Sequence, residues 1–344
     1  MVFSPKQSLK ILITDYLYFF GLTQQYLNRK VKQKAIILAY HRIVPKSMLD
    51  PTNQMPGMYV SEESFEMHME WLKKNFDIVK LEKIINQIQN QREWDKPQCA
   101  ITFDDGWKDN YEYAFPILKR HNIPATIFLV GGDIENIKPI CWYIIFEAIV
   151  QSDNLPEELT SDFAFYNNIF RSKINDPIEK ARKIINILRE LPYDKFNNVC
   201  DKFVKYFNDH MDYNEFRMKY ETLSRRDVQE MSKYGIDFGY HSLNHFMLTR
   251  VTPELLNNEI IIPVNLSKDK SINFKPIFCY PDGNYDADII DLLKKNHYIG
   301  AVSLRRGMND IDTKCFEICR INIHEGIAKP LPLFVSHIAS SSIK

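Results

Sequence analysis

A chain of 344 residues with 45% hydrophobic and 26% charged side chains can bury a large core, enough for one α/β barrel carrying an insertion. Its 44 basic residues are balanced by 44 acidic ones, so no net field draws a polyanion, and no nucleic-acid partner is expected. Six dispersed cysteines, Cys99, Cys141, Cys200, Cys279, Cys315 and Cys319, read as reduced and buried thiols, and Cys315-x-x-x-Cys319 is too isolated for a zinc site.

Residues 1–34 read as an N-terminal helical segment. The apolar stretch Ile11 to Leu22 is interrupted by Asp15, is shorter than the roughly 20 residues a membrane span needs, and is followed by no small-residue cleavage site. Cytoplasmic location is the expectation. With Tyr16, Tyr18, Phe19 and Phe20 beside Lys6, Lys10, Arg29, Lys30, Lys32 and Lys34, the stretch also suits peripheral contact with the inner membrane surface, although a helix packed on the body is the preferred reading.

Ala35 to Tyr40 is an unbroken apolar run, a buried strand that delivers His41 to its tip. Ser61 is placed to cap a helix through Lys74, with Ser64 weakening a full capping box; a short strand Phe76 to Leu81 and a helix Leu81 to Arg92 follow. Cys99 to Phe103 is a second buried strand, ending in Asp104-Asp105-Gly106. A helix Asn110 to His121, with Pro116 inside it, leads to a strand Ala125 to Val130 closed by Gly131-Gly132. This alternation is that of parallel βα units.

From 138 to 221 the texture becomes helical, with amphipathic stretches Trp142 to Val150, Pro177 to Leu191 and Lys195 to His210, and reads as an insertion. Ser224 and Asp227 have capping-box spacing for a helix that ends at Gly235. Ile236 to Tyr240 is a strand leading into His241-Ser242-Leu243-Asn244-His245. A helix Pro253 to Lys270, a strand Pro276 to Tyr280 with the turn Pro281-Asp282-Gly283, a helix Ala287 to Asn296, and strands Ile299 to Leu304 and Ile318 to Ile323 complete the series, before a tail at 329–344.

Adjacent carboxylates at a strand tip point in different directions, so Asp104 and Asp105 can take different roles. His241 and His245 share a face if their segment is a helical turn. With an aspartate they form a His, His, Asp set, which suits zinc or a similar divalent ion and leaves positions for water and substrate.

Taken together, Thr-Phe-Asp-Asp-Gly at 102–106, His-Ser-x-x-His at 241–245 and Phe-Cys-Tyr-Pro-Asp-Gly at 278–283 resemble, in this order, the first three motifs of the polysaccharide deacetylases, the NodB-homology carbohydrate esterases. The resemblance implies a distorted (β/α) barrel over 35–137 and 222–328, with the helical insertion at 138–221 outside it. It implies a divalent metal, most simply Zn2+, held by Asp105, His241 and His245, with Asp104 as general base, acting on an N-acetylated glycan or glycolipid. An amide N–H of Tyr280 or Asp282 is the candidate oxyanion donor, and Trp107 a candidate sugar contact.

The family's acid is a histidine in a Leu-x-x-His motif near the C-terminus, whereas this chain has Leu38-Ala39-Tyr40-His41 near its start. That placement resembles the circularly permuted exopolysaccharide deacetylases, in which the last barrel strand comes first. His41 is therefore the expected acid, with His324 as the alternative. Cys279 stands where many members carry an arginine that orients the base, and Arg320 and Arg42 are the candidates to replace it. An inactive carbohydrate-binding barrel and a deacylase of another amide or ester are the rival functions.

Overall fold

The structure, a computed structural model, describes residues 5–50, 54–131, 176–189, 191–210 and 220–341, together with 145, 146, 149, 150 and 159. Its framework is a run of short apolar strands: β1 (Ala35–Tyr40), β2 (Arg42–Val44), β3 (Tyr59–Ser61), β4 (Asp77–Ile78), β5 (Gln98–Phe103), β6 (Ala125–Leu129), β7 (Asp237–Tyr240), β8 (Phe274–Cys279), β9 (Gly300–Val302) and β10 (Ile321–Asn322). Strands β1, β5 and β6 are buried at every position, the signature of a parallel sheet covered on both faces.

Eight strands form one sheet in the order β10-β1-β5-β6-β7-β8-β9, with β4 also on β5. Every pairing in it is parallel. The first strand lies between the last strand and β5, with Leu38 opposite Ile321 and Ile37 opposite Ala100. A parallel bridge between Val302 and Ile318 ties β9 to the segment that runs into β10. The sheet thus curls back towards its own start, as a distorted (β/α) barrel does, with the strand that leads to His41 between β10 and β5.

Local chemistry explains several element ends. Ser224 and Asp227 make both bonds of a capping box at the helix Arg225–Lys233. At the helix Glu62–Asn75, Ser61 accepts from the Ser64 amide, but the Ser61 N–H is taken by Glu325 Oε2 at 2.9 Å, so a residue 264 positions away completes the cap. Pro116 has no N–H to donate and its ring crowds the preceding turn, which accounts for the π-helical turn Asn110–Ala114 before the helix Phe115–His121. Pro263 likewise splits the expected helix Pro253 to Lys270 into Pro253–Ile260 and Val264–Ser267.

One expectation is corrected at the C-terminal end and one among the cysteines. The segment 329–344 is not a tail: Leu331–Ala339 is a helix that buries Leu333, Phe334, Val335 and Ile338. Phe334 stacks on His68 at 3.9 Å and meets Trp71 edge-on, fastening this helix to Glu62–Asn75. The N-terminal helices Pro5–Phe19 and Leu22–Lys30 pack against it through a buried Leu27, yet Leu12, Tyr16, Phe19 and Phe20 remain exposed, Phe19 at 83%. No helix among the described residues is long and apolar enough to cross a membrane. Cys99, Cys279, Cys315 and Cys319 are free, whereas Cys200 is disulfide-bonded, against the reading of all six as thiols.

In the insertion, the described residues include the helices Pro177–Arg189 and Tyr193–His210, and most of the expected helix Trp142 to Val150 lies outside the described residues. The insertion is joined to the barrel. Phe146, Ile149, Ile184, Val199 and Phe203 form one apolar cluster with Trp107, Val130 and Phe246 of the barrel.

Candidate active site

The carboxyl ends of β1, β5, β7 and β8 each deliver a polar residue to one edge of the sheet: His41, Asp104 with Asp105, His241, and the turn after Cys279. Open parallel sheets and barrels place their sites at this edge. The backbone there is strained. Among the described residues eight non-glycine residues adopt left-handed φ, and four of them are Asp105, Ser242, His245 and Asp282 at 54° to 76°. Each such residue stores roughly 1 kcal/mol or more, held by the surrounding packing. Gly106 continues the turn at φ 71°, where a side chain would be strained and its Cβ would lie 2.9 Å from the Leu129 side chain, which favours glycine.

Asp105 Oδ1 faces two imidazoles, with His241 Nε2 at 3.4 Å and His245 Nε2 at 3.3 Å. The two rings are 4.7 Å apart and nearly perpendicular. They do not reach this position on a helical turn, as the spacing suggested. Residues 241–245 form a loop in which the His245 amide donates to Ser242 Oγ, and the buried Glu259 accepts from the Asn244 amide and side chain.

The His241 Nδ1 lies 2.7 Å from the Cys279 carbonyl, which can only accept, so Nδ1 carries the hydrogen and a neutral ring presents a lone pair at Nε2. A lone pair aimed at a carboxylate oxygen requires positive charge between them. The separations of 3.3 and 3.4 Å are longer than a charge-assisted hydrogen bond of about 2.7–2.9 Å. They match the edge of a tetrahedron with donor distances of about 2.0–2.1 Å, about 3.3 Å. The three donors therefore fit one divalent ion. Burial alone would raise the Asp105 carboxyl, but the facing imidazoles hold it well below the usual carboxylate range.

Two other groups of possible ligands fare worse. Glu66, near Glu70 and His121, is already paired with Arg120 and His121. In the group Asp104, His241 and Cys279, burial pushes the Cys279 thiol well up, leaving it protonated, and Asp104 is engaged elsewhere.

That engagement is with Arg320. The guanidinium, fully buried, donates through Nη1 to Asp104 Oδ1 at 2.6 Å and through Nη2 to Oδ2 at 2.7 Å. Further bonds to the Ser303 carbonyl, Thr102 Oγ1 and Cys279 Sγ fix its plane. Burial would raise the Asp104 carboxyl, and Arg320 outweighs it, keeping Asp104 ionised. Of the two arginines named as replacements for the missing one, Arg320 makes the contact. Arg42 pairs with Asp109 at 2.6 Å instead.

His41 Nε2 lies 3.7 Å from Asp104 Oδ2. Burial lowers its basicity, and the two nearby aspartates recover only part of that loss. His324 is lowered by burial and by the neighbouring His41, and it lines an open cleft of about 210 Å³ with Leu49, Met55, Pro56 and Tyr59. It is less buried than His41.

Two expected contacts are corrected and a third is kept. Trp107 is fully buried and donates Nε1–H to Asp105 Oδ2 at 2.9 Å, so it offers no face to a sugar. The Tyr280 hydroxyl donates to the Phe316 carbonyl and its amide to the Val302 carbonyl, which removes both from the site. The amide of Asp282, in the left-handed turn Pro281–Gly283, stays the oxyanion candidate.

The sequence profile of the polysaccharide deacetylases matches residues 91–300, more than half of the chain. The chain belongs to the polysaccharide deacetylase family. The poly-β-1,6-N-acetyl-D-glucosamine N-deacetylase of Staphylococcus epidermidis is 24% identical over 229 residues, covering 62% of this deacetylase and 75% of that protein. The deacetylase PplD of Streptococcus pyogenes, solved in complex with acetate, superposes with a TM-score of 0.54 at 18% identity, covering 86% of this chain and 94% of the other. IcaB from Ammonifex degensii gives a TM-score of 0.54 at 14% identity over 88% and 97% of the two chains. At those identities the structures share the fold. This deacetylase is thus a hydrolase of that family on a NodB-type barrel.

Proposed function

We propose that this deacetylase removes the N-acetyl group from an amino sugar within a glycan, using a divalent metal, and that poly-β-1,6-N-acetylglucosamine is the first substrate to test. One observation carries the reading: three donors spaced for a single cation, Asp105, His241 and His245, beside a carboxylate anchored by an arginine. The name of the Staphylococcus epidermidis relative supports the choice of polymer. The tetrahedral spacing of the donors supports Zn2+ over metals that prefer octahedral sites.

A cation held there supplies Lewis-acid charge that polarises the acetyl carbonyl and acidifies water. Asp104 takes the water's proton. Arg320 occupies one acceptor position on each of its oxygens and leaves the others open. His41 gives a proton to the departing amine. The Asp282 amide is placed to share the oxyanion's charge, and the cleft beside His324 is where the glycan continues beyond the reacting sugar.

Acetate release measured by mass spectrometry from poly-β-1,6-N-acetylglucosamine, chitin oligomers, lipid-linked N-acetyl sugars and O-acetyl esters tests this, before and after chelation. Release from an N-acetylated glycan that disappears with the metal and returns with Zn2+ is expected. Release from esters alone would move the enzyme to another substrate class. No release from a fully metallated protein would favour the inactive carbohydrate-binding barrel.

A cytoplasmic location, with the exposed Leu12, Tyr16, Phe19 and Phe20 touching the inner membrane surface, is part of the same proposal. Cys200 provides its test, because disulfides persist in oxidising compartments. The disulfide at Cys200 speaks against this part of the proposal, which requires that fractionation with thiol trapping recover Cys200 as a thiol, in soluble or salt-extractable protein. A persistent disulfide would rule the cytoplasm out.

A further inference from the structure

Asp105 presents only one oxygen to the two imidazoles. The other, Oδ2, accepts the Trp107 Nε1–H at 2.9 Å. Over the same indole, the Arg42 guanidinium lies 4.5 Å from the ring centre, with the Tyr59 ring 5.2 Å away on its own account. Arg42 is 7% exposed and is itself fixed, donating from Nε to Asp109 Oδ2 at 2.6 Å and from Nη1 to the Tyr59 hydroxyl at 3.1 Å.

Asp109 is anchored in turn. Its Oδ1 accepts from the Ile43 amide and from Asn110 Nδ2, and Asn110 Nδ2 also donates to the His41 carbonyl at 2.8 Å. One buried network therefore runs from the main chain at His41 to the far oxygen of Asp105.

We propose that Trp107, clamped by the Arg42–Asp109 pair, is a positioning residue that restricts Asp105 to one ligand oxygen and thereby sets the affinity and coordination number of the cation. The inference rests on the metal reading above. A carboxylate with one oxygen held by a buried N–H would have to give up that bond's geometry to chelate through both, so Asp105 would bind a cation through Oδ1 alone and leave a coordination position for water and substrate. A cation over the indole face draws electron density from the ring and strengthens the N–H as a donor. Outer partners of this kind typically change metal affinity by about 10- to 100-fold.

A plain core role for Trp107 makes a different prediction, because its packing against Val130, Phe146 and Phe246 needs no N–H. Two replacements in the full chain separate the roles: Trp107→Phe, and the benzothiophene isostere of tryptophan introduced at 107, which preserves shape and lacks only the donor. Zn2+ affinity is read by competition with a chromophoric chelator, and coordination by the visible spectrum of the Co2+-loaded protein.

Both replacements should weaken Zn2+ about 10- to 100-fold and reduce the intense absorption of four-coordinate Co2+ as Asp105 becomes free to chelate. If the isostere binds Zn2+ as tightly as the parent with an unchanged Co2+ spectrum, Trp107 is packing alone and the inference fails. A parent protein that binds neither ion would overturn the metal reading itself, a result distinct from equal binding by parent and variant.

Discussion

Asp104→Asn should retain its divalent metal and lose turnover by about 10²- to 10⁴-fold, the range that base catalysis contributes. The substitution preserves shape and removes the negative charge, so it also leaves the Arg320 guanidinium buried without its anion. Breaking one partner of such a pair costs about 3–5 kcal/mol of stability. Denaturant titration is therefore measured alongside kinetics, at a temperature where the variant stays folded, and metal stoichiometry is read on the same sample. Folded protein with metal and without turnover supports the base. Loss of metal together with activity would make Asp104 a ligand, and near-normal turnover would exclude it from proton transfer. Arg320→Lys sharpens the result: it keeps the charge but not the paired bonds, so the base stays ionised while its direction is lost, and kcat should fall more than KM rises.

What was legible in the chain follows from which interactions are local. The paired aspartates, the strand that carries them and the capping box at Ser224 depend on neighbours in sequence, and all three are found where residue pattern places them. His241 and His245 were legible as a pair but not in shape. Four-residue spacing suggests a helical turn, whereas the structure uses left-handed Ser242 and His245, stabilised by Glu259 from a helix whose contribution no spacing reveals. Arg320 was one of two candidates for the same reason. The short side chain of Cys279 leaves room for a guanidinium that arrives from 41 residues later, and only the curl of the sheet brings them to 3.0 Å.

The insertion illustrates the opposite error. A segment without motifs reads as an insertion outside the barrel, yet its helices cover the apolar body of Trp107 and the Phe246 that follows His245. The Trp107 main chain is also bridged to Thr222, and the Leu223 amide donates to the Gly106 carbonyl, where the chain leaves the insertion. Insertion residues thus pack against the tryptophan that bonds Asp105, and a deletion of 138–221 should lower metal affinity, read by chelator competition. The C-terminal helix was missed on similar grounds, since Phe334 has its partners in His68 and Trp71, more than 250 residues away.

His41→Ala should lower turnover by about 10²- to 10⁴-fold with metal content unchanged, and His324→Ala should leave turnover within about an order of magnitude of normal. His41 occupies the tip of β1, between β10 and β5, and its Nε2 is 3.7 Å from Asp104 Oδ2. That distance puts acid and base side by side at the edge of the sheet, so the amide must approach both from the open side. His324 is the less buried of the two histidines and lines the open cleft. The pH profile separates the two. Burial holds His41 below the ordinary imidazole range, and an acid works only while protonated, so kcat/KM should decline on the alkaline side earlier than an exposed histidine would allow. His41→Ala should flatten that limb, and His324→Ala should preserve it. If His324→Ala is inactive and loses the limb while His41→Ala behaves normally, the proton donor is His324, and the role assigned to the first strand's histidine must be given up.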